Sequence, residues 1–397
     1  MATYMMRHVT GFLALSATLL IPGAAAYVTA QAGSSGPLSI ARQGYLFAGG
    51  TYTTVNGRQV MSGHMYAEFQ IPSRQTHAWP IVMVHGGGQT GTNFTGTPDG
   101  REGWAQYFLR QGYAVYVVDQ VGRGRSAYAV DVYGPPTPSP NPAEGSQTRF
   151  AAPERYNAWP QAHLHTQWPG QGAPGDPIFD QFFASQVTGI QANAVQLNRD
   201  AILALLGKIG PAIVLTHSQS GPIGWPVADA RPDLVKALVS VEPGGPPFHA
   251  VDYVPAPEWF RDGGASDNTW GVTAVPIAFS PAAAKASDLA IERQATADAP
   301  DLARCWMQKP PARLLLNLAK VHHLIVTSEA SYHANYDHCT VKFLEQAGVH
   351  PTFIKLADVG IKGNGHMMML EKNNMEIAAV ISTWLTRSIP DGANRRN

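Results

Sequence analysis

Ser218 lies in Leu215-Thr216-His217-Ser218-Gln219-Ser220-Gly221, between an apolar run that reads as a strand and a segment that reads as a helix. A serine hydroxyl is a weak nucleophile until a base takes its proton, so its setting decides whether it does chemistry. A sharp strand-to-helix turn would lift the side chain above the sheet edge, and such a turn needs small residues two before and two after the serine. Thr216 and Ser220 hold those places instead of two glycines. The following helix would aim its first N–H groups at the site, where they stabilise developing negative charge. His366, in Gly363-Asn364-Gly365-His366-Met367-Met368-Met369, is the only histidine between the final expected strand and the final expected helix, and it is the expected general base. Two carboxylates could orient it. Glu242, in Ser240-Val241-Glu242-Pro243-Gly244, and Glu329, in Thr327-Ser328-Glu329, each end an apolar strand, and spacing alone does not choose between them. Val84-His85-Gly86-Gly87-Gly88 ends an earlier strand, and glycines there let backbone N–H groups face a substrate oxygen. The expected oxyanion donors are the N–H groups of Gly87 and Gln219. The chemistry these residues suit is acyl transfer through a serine ester. The methionine run after His366 fits either an acyl pocket or core filling.

These groups need a scaffold that brings them together. Two alternating runs, 44–54 and 60–71, flank Asn56-Gly57 and read as a β-hairpin. From Trp79 onward apolar strands alternate with helices: strand 81–84, helix 104–110, strand 113–118, helix 191–208, strand 213–215, a helix after Gly221, then strand 237–241. Strand 324–326, helix 338–347, strand 352–354 and helix 375–386 complete the series. Continuous apolar strands imply a mostly parallel sheet with helices on both faces, an α/β fold. Two stretches break the rhythm. Residues 130–190 hold Pro135, Pro136, Pro138 and Pro140 with Trp159, Trp168, Phe179, Phe182 and Phe183, which suggests a lid or pocket wall, the alternative being a loop packed on the core. Residues 245–313 form a second insertion.

The strings around Ser218, Glu242 and His366, with Thr97-Pro98-Asp99-Gly100-Arg101 and Asp119-Gln120-Val121-Gly122-Arg123-Gly124-Arg125-Ser126, resemble a secreted esterase subfamily of the α/β-hydrolase superfamily that uses a Ser/Glu/His triad. The resemblance runs from about Trp79 to Leu385. It implies the α/β-hydrolase fold, with Glu242 as the acid and Glu329 as the alternative, and Val84-His85-Gly86-Gly87-Gly88 is similar to an esterase oxyanion loop. The resembling esterases carry adjacent cysteines where this chain has Gly87-Gly88, so their vicinal disulfide is absent, and the second insertion looks longer here.

Composition narrows the partners. Lys+Arg 28 balances Asp+Glu 28, which leaves no basic field for nucleic acid and makes a neutral or weakly charged small molecule the simplest ligand. Arg7-His8, the apolar run 11–21 and Ala24-Ala25-Ala26 have the order of a secretory signal, and the run is too short to span a bilayer. The expected organisation is a signal at 1–26, a linker at 27–43 and one catalytic domain at 44–390. In an oxidising compartment the two cysteines, Cys305 and Cys339, are expected to pair. No Cys/His spacing matches a metal site, and no cofactor is implied. Asn93-Phe94-Thr95 is a glycosylation sequon. Gly122-Arg123-Gly124-Arg125-Ser126 lacks the spacing of a phosphate loop and reads as packing near the sheet top. The expected function is hydrolysis of a hydrophobic carboxylic ester or lactone. The alternatives are a non-hydrolytic condensation or cyclisation in a fungal secondary-metabolite pathway and a catalytically silent ligand-binding protein.

Overall fold

The computed structural model describes residues 36–137 and 142–389, so the expected signal lies outside the described residues. Chain order through the sheet follows from the apolar runs. The strands are β1 (Ile40–Val55), β2 (Arg58–Pro72), β3 (Ile81–Val84), β4 (Val115–Asp119), β5 (Ala212–His217) and β6 (Val235–Val241). Two ribbons follow, β7 (His249–Tyr253) with β8 (Phe260–Ala265) and β9 (Ile291–Arg293) with β10 (Trp306–Gln308), before β11 (His322–Thr327) and β12 (Thr352–Lys355). Eight strands make one sheet in the order β1-β2-β4-β3-β5-β6-β11-β12. The pairs β1–β2 and β2–β4 are antiparallel and the rest are parallel.

The principal helices are α1 (Trp104–Arg110), α2 (Pro177–Ala184), α3 (Ala194–Ile209), α4 (Gly221–Ala230), α5 (Asp337–Gln346) and α6 (Asn374–Ser388). Successive side chains of a strand point to opposite faces, so a run such as Ile81-Val82-Met83-Val84 must be covered twice. Ile81 and Met83 join Trp104, Phe108, Ile377 and Ile381 in one core, while Val82 and Val84 join Ile202, Leu205, Trp225 and Phe343 in the other. Helices α1 and α6 therefore cover one face, and α3, α4 and α5 the other. The hairpin turns at Asn56 (φ 50°) and Gly57 (φ 73°), the pair of left-handed residues that a tight two-residue turn requires. Its first strand begins at Ile40, inside the stretch expected as linker.

The insertions depart from expectation in content. Trp168, Phe179 and Phe182 belong to the α1/α6 core, so most of the aromatic surface in 130–190 packs on the scaffold rather than walling a pocket. Met367, Met368 and Met369 are likewise fully buried in that core. The second insertion carries the ribbons β7–β8 and β9–β10. Cys305 and Cys339 form a disulfide that ties this insertion to α5. Asn93 corrects the glycosylation expectation. It is 2% exposed and its amide nitrogen donates to Gln89, which leaves no room for a glycan in the folded chain.

Candidate active site

Ser218 sits where β5 ends and α4 is about to begin, with φ at 54° in the left-handed region that a non-glycine residue occupies only under local constraint. The constraint comes from Ser220. Its buried hydroxyl accepts from the His217 N–H at 2.8 Å and lies within bonding distance of the Val84 carbonyl (2.8 Å) and the His217 carbonyl (2.9 Å), straddling β3 and β5. A serine thus replaces the expected small residue and also stitches the turn. The tightest steric limit falls one residue later, where a Cβ on Gly221 would stand 2.5 Å from Pro243.

Glu242 follows β6 and Ser328 follows β11, and these neighbouring strands run in register with Val241 beside Val326. Glu242, fully buried with φ at 45°, accepts from His366 Nδ1 at 2.5 Å. Its other contacts are the Ser328 N–H (2.9 Å), the Ser328 hydroxyl (2.5 Å) and the Ser331 hydroxyl (2.7 Å). Glu329, the alternative, faces elsewhere and accepts from the Gly363 N–H at 2.8 Å. Burial opposes ionisation of Glu242, but the hydrogen bond and charge of His366, the nearby His333 and the Ser328 hydroxyl together hold its carboxyl below the ordinary range. Because His366 Nδ1 donates to a carboxylate, Nε2 is the ring atom left to accept a proton. Burial lowers the pKa of His366 below its ordinary value, with Glu242 opposing and His333 and Arg149 assisting.

The histidine loop is itself anchored. Glu371 accepts from the Gly365 N–H (2.9 Å), the Asn364 side chain (2.7 Å) and His165 Nε2 (2.8 Å). The other nitrogen of His165 meets Glu154 at 3.0 Å. Burial disfavours the charged ring, yet the two carboxylates outweigh it and push His165 up to about 9, so it is a buried imidazolium. A second pair backs His366: the His333 ring stacks on it with centroids 4.8 Å apart, and its Nδ1 donates to Asp337 at 2.8 Å.

On the other side of Ser218, the loop after β3 passes so close that a Cβ on Gly86 would lie 2.9 Å from His217 Nδ1 and 3.0 Å from Ser218 Cβ. His85 braces this loop. Its Nε2 accepts from the Gln120 N–H at 3.0 Å, which leaves Nδ1–H to donate to the Gly86 carbonyl at 2.9 Å. Burial, with Arg123 adding repulsion, holds His85 down to about 3, so it stays neutral. Gly87 packs beside Gln219, where a Cβ on the glycine would stand 3.4 Å from the Gln219 Cβ.

Ser218, His366 and Gly87 line one cavity of about 320 Å³, together with Gly88, Gln89, Arg123, Thr137, Arg149, Phe150, Gln186, Val187, His217 and Tyr332. Phe150 and Tyr332 both stand against the His366 ring. Only one aromatic of the 130–190 insertion reaches this lining, and the rest of the wall is largely polar. Sequence reasoning passed over Ser328, Ser331, His333 and Asp337. The dense polar run just after β11 was the available signal, since a strand end in the middle of a sheet opens on the same edge as its neighbours.

Among relatives, the chain is 44% identical over 347 residues to a probable secreted lipase, phiG, of Fungal sp. (strain ATCC 74256), covering 86% of this chain and 89% of that one. Among solved structures, a bacterial esterase superposes with a TM-score of 0.57 at 24% identity, covering 89% of this chain and 98% of the esterase, a likeness of fold. A family model for the alpha/beta hydrolase family matches residues 81–380, the span that holds the turn at Ser218, the carboxylate after β6 and the histidine loop, and the chain belongs to that family.

Proposed function

We propose that the protein is an exported serine hydrolase that cleaves a small carboxylic ester or lactone through an acyl-enzyme. The observation that carries the reading is the 2.5 Å contact between Glu242 and His366 Nδ1, with Ser218 and His366 on the wall of the same cavity. Ser218 attacks the carbonyl carbon while His366 Nε2 takes its proton; Glu242 keeps the imidazole in the required tautomer and stabilises the imidazolium. The N–H groups of Gly87 and Gln219 hold the oxyanion, and loss of one such donor typically raises the barrier by about 3–4 kcal/mol. His366 then returns the proton to the leaving alcohol, and a water deprotonated by the same ring releases the acid.

The cavity volume of about 320 Å³ lies at the lower end of small-molecule sites and favours compact acyl groups over long chains. Most of the 130–190 aromatics that suggested a hydrophobic substrate pack in the core, and the cavity wall is largely polar. Export rests on the signal-like N-terminus together with a relative named as secreted. No helix among the described residues is long and apolar enough to cross a membrane.

Fluorophosphonate labelling of the purified protein tests the reading. Label on the native chain and none on Ser218→Ala, with turnover of short p-nitrophenyl esters, is the expected result. Labelling that survives Ser218→Ala would discard the assignment.

A further inference from the structure

Gly122-Arg123-Gly124-Arg125-Ser126 sends its two arginines in different directions. Arg125 binds Asp119 at 2.8 Å and Glu68 at 2.5 Å. Arg123 lines the Ser218 cavity, and among the described residues it forms no ion pair; its Nη1 is shut away from solvent without a hydrogen-bond partner. The turn is built for this divergence. Gly122 (φ 74°) and Gly124 (φ 51°) are left-handed, and a Cβ on them would fall 2.7 Å from Ile190 and 2.7 Å from Asp119 respectively. Gly189 makes room for the guanidinium, since a Cβ there would stand 2.6 Å from Arg123 Nε. Gly189 is in turn held by Thr137, whose N–H donates to the Gly189 carbonyl (2.8 Å) while its hydroxyl accepts from the Gly189 N–H (2.9 Å).

A second cation, Arg149, stands on the same wall, 5.8 Å from the centre of the Tyr332 ring. Among the described residues no aspartate or glutamate lines the cavity. Arg123 is half-buried, but a guanidinium nitrogen shut away from water without a partner or counter-charge is costly, and a ligand that supplies the anion offsets that cost. Its planar fork matches a carboxylate in two parallel hydrogen bonds. From the unpaired Arg123, the second cation Arg149 and the absence of acidic lining in one cavity with Ser218, we infer that the substrate carries a carboxylate besides its ester. This rests on the serine-hydrolase reading and adds the substrate class: a half-ester of a dicarboxylic acid, or an ester or lactone with a free acid arm. Burial lowers Arg123 to about 10, which still leaves it charged at neutral pH. The balanced total charge of the chain says nothing about this local field.

The test pairs mono-p-nitrophenyl glutarate with p-nitrophenyl valerate, which has an acyl chain of equal length and no charge. The native enzyme should favour the anionic ester in kcat/KM by at least about tenfold, the lower bound set by a single hydrogen bond to a charged group. Arg123→Gln should reduce that preference by at least about tenfold, chiefly through KM, and Arg123→Lys should keep part of it. Gly189→Ala, which displaces the guanidinium without removing it, should erode the preference in the same direction. Equal turnover of both esters by the native enzyme, or an equal loss on both in Arg123→Gln, would overturn the inference. A second arm needs no catalysis. Glutarate should raise the Tm of Ser218→Ala and lose that effect when Arg123→Gln is added. If fluorophosphonate labelling fails while this shift is seen, the nucleophile assignment falls and the carboxylate site stands; labelling with neither shift nor preference removes the carboxylate site alone.

Discussion

Glu242 is held by four hydrogen bonds, and only one of them leads to His366. The other three, from Ser328 and Ser331, keep the carboxylate oriented and ionised, so its role and theirs separate by experiment. Glu242→Gln should lower kcat by about 10³–10⁴ with little change in KM, because an amide cannot hold the imidazole in its Nδ1–H tautomer or stabilise its charge. Ser331→Ala should remove one hydrogen bond to a buried charge, lowering stability by about 1.5–3 kcal/mol in urea denaturation. The pH profile follows from His366. In the proposed mechanism catalysis needs the neutral ring, and its pKa is depressed chiefly by burial. The rate should therefore stay on its plateau through neutral pH and fall on the acid side only below 6.5. A profile of kcat/KM that breaks above 6.5 on the acid side would contradict that assignment.

At the scale of elements, the histidine loop is positioned by an ion cluster that joins it to the 130–190 insertion: Glu154, His165 and Glu371. The folded-state pKa of His165 is raised to about 9, above its ordinary 6.5. Its stabilising contribution is therefore complete below about 6.5 and is lost as pH rises towards 9. One pKa unit corresponds to 1.36 kcal/mol, and with Glu154 partly open to solvent the contribution is on the order of 2 kcal/mol. The native protein should lose Tm between pH 6.5 and 9 more steeply than His165→Gln, as read by calorimetry. Identical slopes would mean that the imidazolium does not contribute.

For the whole molecule, the single disulfide matters because it closes a long loop. Cys305 and Cys339 are 34 residues apart, and a loop of that length restricts the unfolded chain by about 4 kcal/mol. The double variant Cys305→Ala, Cys339→Ala should be destabilised by about that amount in urea. The Ser218 site should survive, since the bond fastens the second insertion to α5 and none of its residues lines the cavity.

Local pattern determined a large part of this protein. Apolar runs with period two or continuous burial marked the strands of the central sheet, and Asn56-Gly57 marked its hairpin, because each depends on residues adjacent in the chain. The turn at Ser218 and the loop at His366 were legible for the same reason. What sequence left open was which distant groups meet. Spacing alone left Glu242 and Glu329 equivalent and the resemblance favoured Glu242; the register of β6 beside β11 is what brings the Glu242 carboxylate to His366 and Ser328 to hold it. The aromatics of 130–190 showed as apolar surface but not as core, since composition does not say which face a side chain turns to. Arg123 and Arg125 are two residues apart in one motif, and only the packed sheet edge gave one of them two acids and the other, among the described residues, none. Adjacency is written in the chain, whereas convergence and burial are properties of the folded body.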